Sequence, residues 1–548
     1  MRKRHCWLAL SLALLLTATL SGCSKSEAGL TPTAMRQDFE FIAQKIEDVH
    51  PIGATGLTSG LHQAIYDGRT RLAIEQPTFA DYFWAVSNLL SALDDRQSHL
   101  IWPIADKALD LPLYWCADGL YVISAADKLE PGDRVLSMGG QSTANYEPLS
   151  MVAPYLSAAD GHEIGRVLTS QHVLQGLSLV GVDGLVNVEI QRGDQKQSLR
   201  LTFAKEYQPP QADLTQEDSS WSLEPENSLG IFCLNELGAG ASLQQQLREF
   251  FAAVQVQNLQ SVVLDLRHTR GSDWQTAQEL LRYLDVESYE DYGESVRSPG
   301  QTEMQTRQPQ RISNDAYRDI AFHGQTYVLV AGSTSESACR LAALLCQNRL
   351  AQLVGQSVGR AAVRYGKAEQ FTLPASKLRF TISSTEFLPP GGGSAGTVFS
   401  SGGPAFVSLA NILAGADVEL RMARVMAEWG ERLYQAPEAT PLVSLEGKTL
   451  EQAAREWLEA CFLPLKSETV SPRLRLADFS IQWAKQEDPM HGHDNVVWVQ
   501  YSLKPAYPEF YLAAGNGIWD GAWLKNEERF LVFKSDGELY RVDAVTGL

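Results

Sequence analysis

The chain has 548 residues, of which 44% are hydrophobic and 20% charged, and its formal net charge is -19. At roughly 150 residues per domain, this length predicts three or four units. The ordinary apolar content excludes extended disorder and a multi-span membrane protein. The negative charge, with no basic run long enough to create a positive field, excludes a nucleic-acid partner held by electrostatics.

The first 23 residues have the pattern of an export signal. Basic residues at 2–4 precede the apolar stretch WLALSLALLLTATL, which is shorter than a membrane span. The stretch ends in LSGC, which resembles the lipobox of bacterial lipoproteins. This resemblance implies that residues 1–23 form a lipoprotein signal peptide and that Cys23 carries lipid. It implies a cell-membrane lipoprotein on the extracytoplasmic face, at the cell surface or in the periplasm, with plain secretion as the alternative.

Cysteine usage gives no sign of a disulfide framework or a metal site. The five cysteines outside residues 1–23 are odd in number and have no CxxC spacing. We expect them to be small buried apolar side chains. No metal and no cofactor is predicted. These five cysteines are Cys116, Cys233, Cys339, Cys346 and Cys461.

The rest of the chain divides by its residue patterns into a linker and four units, which predicts a multidomain α/β protein. After the linker at 24–32, residues 33–108 have apolar positions at helical spacing. Residues 109–210 are short apolar runs cut by turns, including the hairpin LVNVEIQRGDQKQSLRLTF. In residues 211–435 strands such as SVVLDLR alternate with helices, as in an α/β layer with parallel strands. Residues 443–548 read as a helix on an antiparallel sheet.

A serine lies where the predicted strand TYVLVAG meets an apolar helix. Ser337 belongs to the first turn of that helix, where free N–H groups and the helix dipole stabilise a negative charge. Serines are also common helix caps, so Ser333, Ser335 or Ser337 could have only that role. From the residues alone, both interpretations stay open.

Several segments, in order along the chain, resemble the tail-specific or C-terminal-processing serine peptidases, which include the tricorn core. SESACR at 335–340 lies on the family pattern Thr-x-Ser-Ala-x-Glu, and SVVLDLRHTRGSDW resembles Asp-Leu-Arg-x-Asn-x-Gly-Gly. The resemblance spans roughly residues 33 to 435 and implies a ClpP/crotonase-like peptidase core at 211–435. It implies Ser337 as the nucleophile, with the amides of Gly271 and Ala338 in the oxyanion hole.

Two further units are assigned by resemblance. LYVISAADKLEPGDRVLSMGGQ is similar to the PDZ-like module that many family members place before the catalytic domain. In that module backbone amides bind a peptide C-terminus, which implies a peptide-binding role for Leu129 and Gly132. Residues 443–548 resemble the cone-shaped fold of the nuclear-transport-factor-like (NTF2-like) superfamily.

The family activates its serine with either a lysine or a histidine. The lysine position falls at about Arg360, and an arginine stays protonated and cannot act as a general base. Lys367 lies on a different part of the loop. LLSALDDRQSHLIWP resembles the tricorn-branch segment that supplies a histidine, which implies His99 as the base. Glu386 is the candidate carboxylate that orients it. The alternative for His99 is a histidine that is only hydrogen-bonded at a helix end.

The predicted function is a serine-type peptidase that acts on exported proteins or peptides near their C-termini. Its partners would be the polypeptide substrate and, through the lipid, the membrane. Three departures from the family pattern favour an alternative, a degenerate lipoprotein that binds peptides without cleaving them. Arg340 replaces the glutamate after the nucleophile, Thr269 replaces the asparagine, and Ser272 replaces the second glycine of the oxyanion turn. A serine at this glycine position could shift the oxyanion donor.

Overall fold

The structure is a computed structural model of the chain. It describes fourteen stretches, which are residues 30–101, 106–116, 118–144, 147–156, 161–207, 218–238, 240–298, 303–332, 334–355, 364–392, 407–434, 441–489, 493–510 and 516–545. Cys23 and Arg360 lie outside the described residues, and so does Ser333.

The N-terminal region consists of helices α1 (Pro32–Val49), α2 (Ile52–Thr55), α3 (Ser59–Leu72) and α4 (Phe79–Ser91). Each of the three longer helices is preceded by a threonine whose hydroxyl accepts a backbone N–H of the first turn. Such caps satisfy donors that have no partner within the helix. Helices are therefore present where the apolar spacing predicts them.

The β-rich region folds into one antiparallel sheet with three short helices. The sheet has the order β2-β3-β4-β6-β7, with β5 beside β4, and β1 pairs separately with β8. The predicted hairpin is present, because β6 and β7 pair from Val186 with Leu201 to Arg192 with Gln195. The elements are β1 (Lys107–Leu109), β2 (Leu113–Cys116), β3 (Gly119–Val122), β4 (Arg134–Met138), β5 (Gln141–Ser142), α5 (Glu147–Val152), α6 (Gly161–Val167), α7 (Gln171–Gly176), β6 (Val186–Arg192), β7 (Gln195–Leu201) and β8 (Phe203–Glu206).

The central region begins with a five-stranded sheet of order β19-β18-β12-β10-β9. Its first four strands are parallel, and β9 is antiparallel to β10. A second sheet has the order β16-β15-β21-β20. The elements are β9 (Ser220–Glu224), β10 (Leu229–Cys233), β11 (Glu236–Leu237), α8 (Ala241–Val256), β12 (Ser261–Asp265), β13 (Arg270–Gly271), α9 (Trp274–Leu281), β14 (Ser288–Asp291), β15 (Gly293–Val296), β16 (Gln305–Arg307), β17 (Gln310–Ser313), β18 (Gln325–Val330), α10 (Glu336–Gln347), β19 (Gln352–Gly355), β20 (Tyr365–Thr372), β21 (Arg379–Leu388), α11 (Leu409–Leu413) and α12 (Val418–Trp429).

The C-terminal region has one long helix and an antiparallel sheet of order β22-β23-β25-β24, with β26 beside β25. The apolar side chains of one sheet face pack on the helix and form a separate core. This agrees with the predicted helix on an antiparallel sheet. The elements are α13 (Leu450–Phe462), β22 (Leu476–Glu487), β23 (Val496–Pro505), β24 (Ile518–Asp520), β25 (Trp523–Asp536) and β26 (Leu539–Val545).

The apolar cores cross the predicted unit boundaries. One core combines α1 to α4 and the β-rich sheet with the β20–β21 hairpin, through residues such as Phe380 and Ile382. The helical and β-rich units therefore share a core, although the sequence predicts them as separate domains. On one face of the parallel sheet, a second core includes Met422 from α12 and Phe510 from the C-terminal region. Packing joins all four regions.

None of the helices that the structure describes is long and apolar enough to cross a membrane. The five cysteines after residue 23 have free thiols. Cys116 and Cys339 are buried, and the other three are partly buried.

Candidate active site

Ser337 lies in the first turn of α10, directly after the buried strand β18. Apolar side chains further along α10, such as Leu341 and Leu345, are fully buried and fix the helix against the sheet. Ser335 is the N-cap residue, but its hydroxyl makes no capping hydrogen bond. The first N–H that bonds within the helix is that of Cys339, to the Ser335 carbonyl at 2.8 Å. By helix geometry, the preceding N–H groups, including that of Ala338, point out of the helix start.

Gly271 lies on the neighbouring turn, and its conformation requires glycine. Its φ is +82°, and an added Cβ would lie 2.3 Å from the carbonyl oxygen of Leu237. Gly271 pairs with Leu237 in a short parallel ladder between β11 and β13, and β13 contacts α10. The turn that carries Gly271 therefore lies beside the helix that carries Ser337 and Ala338.

The two departures in this turn are accommodated locally. Thr269 is fully buried, and its hydroxyl donates a hydrogen bond to the carbonyl of Leu234. Ser272 is exposed and is not among the residues with positive φ. The one left-handed position of the turn is Gly271, where the family glycine is kept. Ser272 therefore imposes no backbone strain on the oxyanion turn.

His99 ends a turn that follows α4, and strand β21 holds it in place. The N–H of Thr381 donates to the His99 carbonyl at 3.0 Å, and the Thr381 hydroxyl lies 3.4 Å from Nδ1. His99 is exposed, yet the surrounding protein atoms desolvate its charged form and lower its pKa, an effect that the negative charge of Asp95 partly opposes. The imidazole is therefore neutral near pH 7, as a general base must be.

Arg96 connects the segment of His99 to the segment of Ser337. Its guanidinium donates to the carbonyl of Gly332 at 2.9 Å and to that of Thr334 at 3.4 Å. Both carbonyls belong to the loop between β18 and α10, which directly precedes the serine. The structure thus brings the segment that carries the predicted base next to the loop that precedes the predicted nucleophile.

Glu386 is not placed to orient His99, which corrects the sequence-based assignment. Its carboxylate accepts a hydrogen bond from Arg364 at 3.1 Å. Thr381, which contacts His99, lies five positions earlier on β21, or about 16 Å along the strand and on the opposite face. Among the described residues, Glu386 has no hydrogen bond to the imidazole. Lys367 is likewise engaged elsewhere, because its ammonium lies 2.5 Å from Glu294.

The peptide-binding assignment of Leu129 and Gly132 also needs correction. The N–H of Leu129 donates to Ala126 at 2.8 Å, and the N–H of Gly132 donates to Val122 at 2.9 Å. An amide that already has an acceptor is not available to bind a peptide carboxylate. The side chain of Leu129 is buried in the core as well.

Two charged residues beside Ser337 were not predicted to be part of the site. Burial raises the pKa of Glu336 to about 7, against the opposing effect of Arg340. The Arg340 guanidinium lies between the rings of Trp274 and Phe387, 4.1 and 4.2 Å from their centroids. This arrangement explains how α10 tolerates arginine where the family has glutamate, because two aromatic faces cover the cation.

Comparison with known proteins identifies a peptidase family over the central region. Residues 229–395 match the model of peptidase family S41. This part of the chain belongs to peptidase family S41. The family consists of serine peptidases, so membership supports a hydrolase that acts on polypeptides. The matched residues include Ser337, Gly271 and Ala338, whereas His99 lies before the S41 domain. No curated protein matches the chain.

Two solved structures of mature CPAF share the fold of a region wider than residues 229–395. Mature CPAF is 12% identical, with a TM-score of 0.51, and the match covers 73% of this chain and 97% of that one. Mature CPAF complexed with lactacystin is 11% identical, with a TM-score of 0.50 and coverage of 73% and 98%. A peptidase from Parabacteroides merdae, described as putative in its name, is 12% identical, with a TM-score of 0.40 and coverage of 74% and 99%.

Proposed function

We propose that the chain is a serine peptidase that cleaves exported polypeptides outside the cytoplasm, with Ser337 as the nucleophile and His99 as the base. The observation that carries the proposal is the Arg96 bridge, which holds the turn of His99 against the loop that precedes Ser337. The match of residues 229–395 to the model of peptidase family S41 also supports the proposal. A lipid on Cys23 would tether the enzyme to the membrane, as the lipobox resemblance implies.

In the proposed reaction, the neutral imidazole of His99 takes the proton of the Ser337 hydroxyl as the oxygen attacks the scissile carbonyl carbon. The N–H groups of Gly271 and Ala338 stabilise the negative oxygen that forms. The imidazolium then gives its proton to the leaving amine, and an acyl-enzyme remains. A water molecule, deprotonated by His99, attacks the ester carbonyl. The carboxylic acid leaves, and Ser337 and His99 regain their starting protonation.

The test is hydrolysis of casein by the chain without residues 1–23. The parent is compared with Ser337→Ala and His99→Ala, and each variant is expected to lose at least about 1000-fold in kcat. His323→Ala is the matched control, because His323 is exposed and paired with Asp285 at 2.7 Å. It should keep the parental rate. Residual activity of Ser337→Ala at the parental level would reject the proposal.

The alternative function is a peptide-binding lipoprotein without catalysis. The sequence argument for it is weakened by Ser272, which has no positive φ and leaves Gly271 in the conformation that the turn requires. It predicts that the parent chain hydrolyses no member of a broad peptide set while it still binds one. Under the peptidase proposal, the Ser337→Ala variant binds the same peptides that the parent cleaves.

A further inference from the structure

Asp95 and His50 form a buried pair next to the turn that carries His99. Both side chains are 0% exposed, and His50 Nε2 lies 3.4 Å from Asp95 Oδ2. His50 Nδ1 accepts the N–H of Ile52 at 3.2 Å, so the ring proton is on Nε2 and faces the carboxylate. With one nitrogen accepting from the backbone and the other directed at Asp95, His50 has no nitrogen left for substrate chemistry. A buried carboxylate needs such partners.

The remaining contacts of Asp95 fix the backbone that leads to His99. Oδ1 accepts the N–H of Gln97 at 2.9 Å, and Oδ2 accepts the hydroxyl proton of Ser98. The Ser98 oxygen in turn accepts the N–H of Ser383 on β21 at 2.9 Å. Asp95 therefore holds the two residues that precede His99 and connects them to the strand that also binds the His99 carbonyl.

His50 is itself fixed by the second sheet. Its ring packs on Tyr365 of β20 with centroids 4.5 Å apart. Arg297, which follows β15, donates to the His50 carbonyl at 3.4 Å. The pair is therefore supported by α1 and by two strands of the sheet that carries Thr381, and it can transmit the position of that sheet to the turn.

We propose that Asp95, supported by His50, is a positioning residue for His99: it fixes the turn from which the imidazole reaches Ser337 and places a negative charge behind that imidazole. This inference rests on the proposed function. Neither residue can touch a substrate, because both are fully buried. Their effect must pass through His99.

Because Asp95 is charged, it affects the pKa of His99, which a residue with a purely structural role would not do. Among the described residues, His50, Glu336 and Tyr365 are the other titratable groups that interact with Asp95, and Arg96 lies between Asp95 and His99 on the turn. Burial alone would raise the pKa of Asp95, but the nearby imidazole of His50 and the hydroxyl of Ser98 lower it, so the group is ionised. Its negative charge favours the protonated imidazole of His99. Removing that charge must lower the pKa of His99 further.

The test uses Asp95→Asn, which keeps the shape of the side chain and removes the charge. The pH dependence of kcat/KM is measured, and the His99 ring is titrated by NMR in histidine-labelled full-length Ser337→Ala protein, with and without the Asp95 change. The His99 signal is the one lost in His99→Gln. We expect kcat to fall at least about tenfold with KM little changed, since a misplaced base slows chemistry more than binding. Both the acidic limb and the NMR titration should move to lower pH.

Asp38→Asn is the matched control. Asp38 is equally buried, and it also ties α1 to the β20–β21 hairpin, through the N–H groups of Ala375 and Ser376 at 2.7 Å each. Its change should lower stability without moving the titration of His99. An unmoved titration in Asp95→Asn, or an equal movement in Asp38→Asn, would overturn the inference. Because the NMR arm needs no catalysis, these outcomes are distinct from failure of the peptidase proposal.

A second pair of variants covers the case in which Asp95→Asn does not fold. His50→Gln keeps an N–H donor toward Asp95, whereas His50→Ala leaves the carboxylate without it. We expect kcat to fall in His50→Ala and to be largely restored in His50→Gln. Equal rates in the two variants would contradict a role for the donor in holding the turn.

Discussion

Arg267 and Asp417 form a bidentate ion pair, with Nη1 2.7 Å from one carboxylate oxygen and Nη2 2.8 Å from the other. The same guanidinium binds Asp265 at 2.9 and 2.7 Å and lies 3.3 Å from Glu419. Asp265 ends β12, and Asp417 caps α12. Arg267 thus joins the sheet edge next to the Gly271 turn to a helix more than 140 residues later.

We therefore expect Arg267→Gln to lower the free energy of unfolding by about 3–5 kcal/mol, because it leaves Asp265 and Glu419 buried without their cation. Urea denaturation measures the loss. Arg248→Gln is the matched control, since the Arg248 pair with Asp319 is exposed on both sides. Its loss should stay below about 1 kcal/mol. Equal losses would show that burial of the carboxylates is not the cause.

Replacing Gly271 tests whether its N–H stabilises the oxyanion. Gly271→Ala forces a Cβ to 2.3 Å from the Leu237 oxygen at a φ of +82°, so the turn must shift and carry its N–H away from the oxyanion. We expect kcat to fall about 100-fold or more, with a smaller change in KM. Gly240→Ala is the control, because nothing lies within 4 Å of the added Cβ. Steady-state rates on one peptide compare the two. Parental kcat in Gly271→Ala would remove this amide from the oxyanion hole.

The environment of His99 sets the expected pH dependence. Desolvation lowers the pKa of His99 below the ordinary value of 6.5. The base must be neutral, so activity is complete above this lowered pKa and is lost as the pH falls through it. The acidic limb of kcat/KM should therefore have its midpoint below pH 6.5. A midpoint above 6.5 would contradict the desolvation of His99. His323→Ala should show the same midpoint, which excludes His323 as the group that titrates.

The parts of the site that one short stretch of chain determines could be predicted from the sequence. An apolar strand that runs into an apolar helix indicates the position of Ser337. An apolar strand followed by a glycine indicates the Gly271 turn. Family resemblance supplied their roles. The four parallel strands of the central sheet are likewise the arrangement that alternating strands and helices favour.

Contacts between distant segments could not be predicted in the same way. Arg96 reaches a carbonyl 236 residues later, and no local pattern indicates its acceptor. The sequence favours Glu386, far downstream, as the carboxylate near His99, whereas Asp95 lies four residues before the histidine and is linked to it by a turn. Leu129 failed for another reason: the turn that its motif predicts uses its amide internally.

Glu336 makes the stability of the fold depend on pH. Its folded-state pKa of about 7 is above the ordinary 4.5, so folding favours the protonated carboxyl. Stability from this group is present below pH 4.5 and is lost as the pH rises through 7. Glu336→Gln cannot ionise, and it should gain up to about 3 kcal/mol over the parent between pH 4.5 and 8. Urea denaturation at the two pH values tests this. Glu451→Gln, at a partly exposed first-turn position of α13 where hydrogen bonds lower the pKa, should show no such gain.

Phe510 packs the C-terminal region against the central sheet. It is 3% exposed and packs in one core with Ile231 and Met422, next to an ion pair of Arg421 with the buried Glu509 at 2.8 Å. Phe510→Ala should lower the free energy of unfolding by about 3–5 kcal/mol, the usual result of emptying a buried aromatic site. Ile518→Ala is the control, because Ile518 is 47% exposed, and it should stay within about 0.5 kcal/mol. Urea denaturation of both variants decides the point. A loss in Phe510→Ala no larger than in the control would mean that the C-terminal region is held by other contacts.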